Sequence, residues 1–159
     1  MARALKKVVT KDANIACVGE ACAAAGALAK AARKDFTREA RIMLPGMLDK
    51  LKDKTTLVIM RIQEALLHFV NHCFALSDVT DDIATALAHK FPKVPEQTLR
   101  WVAAASGELK GKAAAVALHK TLLPALVKCT DAATPEVGWC KFESHVEGTG
   151  VQLLKLKYD

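Results

Sequence analysis

Met43-Leu44-Pro45-Gly46-Met47-Leu48 and Leu122-Leu123-Pro124-Ala125-Leu126-Val127 are two versions of one phrase. In each, a proline stands inside an apolar pattern of helical spacing, and its missing N–H should kink or locally break the helix. Each phrase is followed by a polar turn and a valine that opens a new helix. Similar turns recur at Lys11-Asp12-Ala13-Asn14-Ile15, Lys54-Thr55-Thr56-Leu57-Val58, Lys90-Phe91-Pro92-Lys93-Val94 and Ala133-Thr134-Pro135-Glu136-Val137. The β-branched residues that close them, Ile15, Val58, Val94 and Val137, lie 43, 36 and 43 residues apart. Such a period predicts stacked helix pairs, each burying the apolar face of its neighbour, with the turns aligned along two long edges.

Working outward, apolar residues recur every three or four positions almost throughout. From Asn14 to Arg33 the stripe is Ile15, Val18, Cys22, Ala25, Ala29 and Ala32. Thr37 is placed to cap the next helix, with Ala40, Met43, Leu44, Met47, Leu48 and Leu51 on its inner face. Val58, Ile62, Ala65, Leu66, Phe69 and Cys73 follow, and Ser77 is read as starting a helix with Asp78, Asp81 and Asp82 in its first turns. The last stripes are Val94, Thr98, Trp101, Val102 and Ala105, then Ala115, Leu118, Leu122, Ala125, Leu126 and Cys129. The expectation is all-α, seven helices and no strand: an α-solenoid of HEAT-type helix pairs.

Composition agrees. The 159 residues are 52% hydrophobic, 25% charged and 5% aromatic, which fits closely packed alanine-rich helices better than a sheet. No apolar stretch is read as approaching the roughly 20 residues of a membrane span. Lys6 and Lys7 interrupt the start before a signal core can form, so an intracellular protein is expected. Cysteines stand at 17, 22, 73, 129 and 140 without a CxxC pair, which predicts buried free thiols and no disulfide framework. Net charge is +6, and its excess lies in residues 1–54, with 12 Lys and Arg against 6 Asp and Glu. The remainder balances at 11 against 11. The basic third could meet nucleic acid, a lipid surface or an acidic protein.

Candidate chemistry is sparse. His68 and His72 share a helix face, but Phe69 stands where HExxH needs glutamate, and a metal needs three or four convergent ligands. Gly107-Glu108-Leu109-Lys110-Gly111-Lys112 is one residue short of a phosphate loop, and Ala113 replaces its Ser/Thr. No cofactor, metal site or catalytic group is assigned, and the chain is read as a non-enzyme. Trp101 lies on an apolar stripe and is taken as core. Lys50, Lys52 and Lys54 near a helix C-terminus are worth roughly 0.3–1 kcal/mol through the dipole with no ligand at all.

The runs Leu5-Lys6-Lys7-Val8-Val9-Thr10-Lys11-Asp12-Ala13-Asn14-Ile15 and Met43-Leu44-Pro45-Gly46-Met47-Leu48-Asp49-Lys50-Leu51-Lys52-Asp53-Lys54 resemble a TOG domain, as does the helix with Thr98-Leu99-Arg100-Trp101. TOG domains are HEAT-repeat, tubulin-binding modules of the XMAP/Dis-type microtubule polymerases. The likeness covers residues 4–137 and is to the second TOG domain, in a plant or algal form. It implies that turns within helix pairs meet a tubulin dimer: Lys11, Asp12 and Asn14; Lys52, Lys54 and Thr55; Lys90, Pro92 and Lys93; Thr134, Pro135 and Glu136. Against the family pattern the chain starts inside the second repeat, and 138–159 reads as an irregular tail foreign to the fold. The expectation is therefore weak tubulin binding by this fragment compared with a complete domain.

The resemblance implies a monomer in the cytoplasm, on microtubules and the spindle, with no nucleic acid or membrane partner. A generic HEAT scaffold for another protein is the alternative. Nucleic-acid binding would use the basic third as a phosphate track, but the sequence shows no aromatics read as exposed for stacking.

Overall fold

The computed structural model describes residues 2–12 and 14–107. Among them are six α-helices and no strand: α1 (Ala2–Lys11), α2 (Ile15–Ala32), α3 (Thr37–Lys50), α4 (Thr56–His72), α5 (Thr80–Leu87) and α6 (Lys93–Gly107). They form three consecutive pairs. First helices pack on first helices, α1 on α3 and α3 on α5, while second helices pack α2 on α4 and α4 on α6. This two-row stack is the expected all-α, HEAT-type solenoid. The stripe at 115–129, the second proline phrase and residues 138–159 lie outside the described residues.

The periodic residues build the core. Every named apolar position of α3, α4 and α6 is buried, including Met43, Leu44, Ile62, Leu66, Phe69 and Trp101. Burying one such leucine or isoleucine contributes about 1.5–3 kcal/mol. On α2, Val18, Cys22, Ala25 and Ala29 are buried, whereas Ala32 is exposed because the helix ends there. Glycines let two helices approach closely. A Cβ on Gly26 would stand 3.0 Å from Ala65 Cα in α4, and one on Gly46 would stand 2.8 Å from Thr10 Cγ2 in α1.

Several local expectations are corrected. Pro45 does not break its helix: α3 runs from Thr37 to Lys50 as one element with the proline inside. Packing of Met43, Leu44, Met47 and Leu48 outweighs one missing hydrogen bond. Thr37 is not an N-cap, because a 3-10 turn, Arg33–Phe36, precedes it. Its Oγ1 instead donates to the Cys73 carbonyl at 2.8 Å, tying the start of α3 to the end of α4. Ser77 lies in a second 3-10 turn, Leu76–Val79, and α5 begins only at Thr80. There Asp78 accepts from the Ala75 N–H at 3.0 Å, stabilising the connection rather than the helix dipole. Cys22 and Cys73 are buried thiols, but Cys17 is exposed. Burial pushes the Cys22 thiol up to about 12, against a smaller opposing pull from Lys50.

The membrane reading is also corrected. Ile15–Lys50 contains a helix long and apolar enough, by length and composition alone, to cross a membrane. Within it, α2 is alanine-rich and carries only two charged residues, Glu20 and Lys30. Its inner face is nevertheless occupied by protein, packed on α1 and α4.

The pairs join at one edge through the 3-10 turns. Phe69 lies between Phe36 and Phe74, with ring centroids 6.2 Å away in each case. Arg33, at φ 51° and ψ −122°, is the one non-glycine with positive φ among the described residues, and it terminates α2. Arg41 reaches the Asp78 carbonyl across the same edge. The opposite edge carries the turns within pairs.

Candidate functional site

Two of those turns are built alike from the same local chemistry. An aspartate carboxylate accepts the N–H two residues on, closing an Asx turn just before the second helix. Asn14 donates to Asp12 Oδ1 at 2.8 Å, and Thr55 donates to Asp53 Oδ1 at 2.8 Å. Asn14 and Thr55 share one conformation, φ −79° with ψ 103° and 104° respectively. Asn14 also caps α2, its side chain accepting the Ala16 N–H at 3.1 Å. Thr55 occupies the same position before α4 without a side-chain cap bond. The second helices accordingly open at Ile15, Thr56 and Lys93, spaced 41 and 37 residues apart, so the β-branched marker Val58 was two positions late. The third turn is different: the Phe91 N–H donates to His89 Nδ1 at 3.2 Å.

Hydrogen bonds between pairs hold these turns on one edge. Lys50 Nζ donates to the Asp12 carbonyl at 3.0 Å, and Lys93 Nζ to the Asp53 carbonyl at 2.5 Å. Asp49 Oδ1 meets His89 Nε2 at 3.4 Å, and Asp49 Oδ2 binds Lys52 Nζ at 2.8 Å. Partial burial pulls the Asp49 carboxyl up, but Lys52 and His89 outweigh it and hold it below the ordinary carboxylate value. Asp53 is also held low, chiefly by the Thr55 N–H.

The expected contact residues therefore divide. Asp12 and Asn14 shape the first turn. Lys54 and Thr55 are exposed in the second, while Lys52 is engaged with Asp49. Lys90 and Pro92 are exposed in the third, but Lys93 is half-buried and directed to the second turn. The backbone places Lys11 at the end of α1; Thr134, Pro135 and Glu136 lie outside the described residues. Lys34 lies on the connecting edge, lining an open cavity of about 710 Å³ with Thr37, Cys73, Phe74 and Asp78.

Sequence reading gave Lys50 only a helix-dipole role and missed Asp53, His89 and Phe91. The repeated Asp-x-Asn and Asp-x-Thr spacing could have revealed Asp53, but nothing local reveals a lysine that bonds 38 or 40 residues away. Phe91 corrects the view that no aromatic is exposed: it is 46% exposed, with Lys90 Nζ 5.3 Å from its ring centroid. The His68 and His72 rings do share a face, at 6.0 Å, and Glu64 lies 3.9 Å from His68. Among the described residues no three His, Cys, Asp or Glu converge as metal ligands would.

The Asp53 turn should be acid-sensitive. A carboxylate held below its ordinary value stabilises the fold above that value, and the contribution is lost as pH falls through the lowered one. Melting curves of the unmodified chain and Asp53→Ala should thus differ most near neutral pH and converge on acidification. A gap independent of pH would leave the carboxylate charge without a part in the turn.

No family model matches the chain. Protein MOR1 of Oryza sativa subsp. japonica is 39% identical over 137 residues, which is 85% of this chain. The chain spans only 7% of that protein's length. A chain from a structure of microtubule plus-end tracking by XMAP215, CLIP-170 and EB1 superposes with a TM-score of 0.74. It is 30% identical, and the match covers 86% of this chain and 56% of that one. The same fold occurs at 24% identity and a TM-score of 0.75 in a structure of microtubule polymerases with Tumor Overexpressed Gene (TOG) domain arrays, covering 86% of this chain and 28% of that one. Homologous to a segment of MOR1, the chain stacks its helix pairs in the fold of TOG-domain repeats.

Proposed function

We propose that this chain binds tubulin through the edge formed by turns 12–14, 51–55 and 88–92, by recognition without chemistry. The observation that carries the reading is the match, at 30% identity, to a chain from a microtubule plus-end tracking structure. The edge is suited to such a role. Exposed Lys54 and Lys90 present positive charge, while Thr55, Pro92 and Phe91 offer close, shaped contact. Cations of this kind steer and orient an acidic protein surface more than they add raw affinity. The reading includes action as a monomer at microtubules and the spindle, with neither nucleic acid nor membrane as partner. Thr134, Pro135 and Glu136 are proposed to extend the edge.

Mixing the 159-residue chain with tubulin dimer, and separately with DNA, at physiological salt tests this directly. Co-elution with tubulin and not with DNA is the expected result. Retention of DNA alone would move the function to the basic first third. Lys54→Glu should weaken tubulin binding by about tenfold, the loss of roughly 1.4 kcal/mol, while the fold is unchanged. If Lys34→Glu abolishes binding and Lys54→Glu does nothing, the connecting edge is the contact surface instead.

A further inference from the structure

Two lysines reach from different helices to equivalent main-chain atoms in successive repeats. Lys50 is the last residue of α3 and Lys93 the first of α6, so their positions in the repeat do not correspond. Their acceptors do. Each is the carbonyl of the aspartate whose own carboxylate closes the Asx turn, Asp12 in the first pair and Asp53 in the second. The recurrence thus lies in what is held rather than in an inherited side-chain position. Each donor belongs to the pair after the turn it holds, so the bond joins neighbours rather than closing a local loop. Asp49 and His89 add a third link on this edge, from the end of α3 to the third turn.

The chemistry suits a staple. The main chain leaves α1 or α3 at these turns, and a carbonyl there needs a donor from outside its own helix. An ammonium on a four-carbon stem can reach that carbonyl with one of its three donors. Both bonds are partly buried, while Lys54 and Lys90 beside them are exposed. The edge therefore separates two kinds of lysine, one directed inward to backbone and one left at the surface.

We propose that Lys50 and Lys93 are positioning residues, staples between repeats that set the spacing and conformation of the turns, and that neither meets the partner with its charge. The functional half of this inference rests on the tubulin-binding reading. Preformed turns avoid an ordering cost when the partner docks, and losing a hydrogen-bonded group of this kind is felt mainly in dissociation. A charge at an interface rim acts instead on association and on salt dependence.

Lys93→Met and Lys50→Met keep most of the stem and remove the donor; Lys54→Met is the comparison. In the full chain without partner, hydrogen exchange at the Thr55 amide should quicken about tenfold in Lys93→Met, and at the Asn14 amide in Lys50→Met. Lys54→Met should leave both unchanged. With tubulin dimer, both staple variants should dissociate about tenfold faster, with association within about twofold and an unchanged salt dependence. Lys54→Met should slow association and flatten the salt dependence. Lys93→Arg should restore much of the slow dissociation, since it keeps a charged donor. Unchanged amide exchange in the methionine variants would overturn the staple, and slowed association with a flattened salt dependence would overturn the positioning role. If the unmodified chain holds no tubulin, the binding reading and the edge role fall together, while exchange still decides whether the staples exist.

Discussion

Phe69→Ala is expected to lower the unfolding free energy by about 3–5 kcal/mol, the range for removing a large aromatic from a packed core. Phe69 is fully buried on α4, and its ring is flanked by Phe36 before α3 and Phe74 after α4. Truncation would leave a cavity where two pairs join, and would also remove two tilted aromatic contacts worth roughly 0.5–1.5 kcal/mol each beyond area. Denaturant unfolding followed by circular dichroism measures the loss, with exposed Phe91→Ala as a nearly neutral control. A change below about 1 kcal/mol would mean that this corner can collapse around the cavity. The functional consequence follows from the stack. Loosening the connecting edge tilts the pairs, and the opposite edge can keep its turns in line only while the pairs stay parallel.

The second large effect concerns space rather than its loss. Gly26→Leu should destabilise by about 3 kcal/mol, the upper end of the usual overpacking range. A Cβ alone would lie 3.0 Å from Ala65 Cα, 3.2 Å from Ala65 Cβ and 3.3 Å from His68 Cδ2. The nearest atom is backbone, so no rotamer change relieves it. Replacing a mid-helix glycine would otherwise favour the helix by roughly 0.5–1 kcal/mol, so intrinsic propensity predicts the opposite sign. Leucine at Ala27, exposed on the same helix, should be nearly neutral and separates the two causes. Comparable melting midpoints for the two variants would show that α2 and α4 can move apart at little cost.

The helical faces were legible because burial follows a local period. A residue on the inner stripe of α3 or α6 faces its neighbour whatever that neighbour is, and Leu44, Trp101 and Val102 needed no tertiary information. The turns were legible as places where that period fails. The starts of α3 and α5 were not, because Thr37 bonds a carbonyl 36 residues away and Asp78 closes the 3-10 turn ahead of α5 rather than α5 itself. That Pro45 leaves α3 unbroken was not legible for a related reason: a local rule fixes the cost of the missing bond, while the surrounding core decides whether the helix endures it.

The sequence by itself determined an all-α stack of helix pairs, the positions of its turns and the placement of its charge. Each depends on residues a few positions apart, so the chain carries the whole signal. Only the tertiary structure decided what the edge lysines do. Lys54 remains at the surface, Lys52 binds Asp49, and Lys50 and Lys93 turn inward to carbonyls in the preceding pair. One ammonium in a sequence looks like another. Which acceptor it finds depends on how helices separated by about 40 residues stack, and on which carbonyls that stacking leaves without a donor.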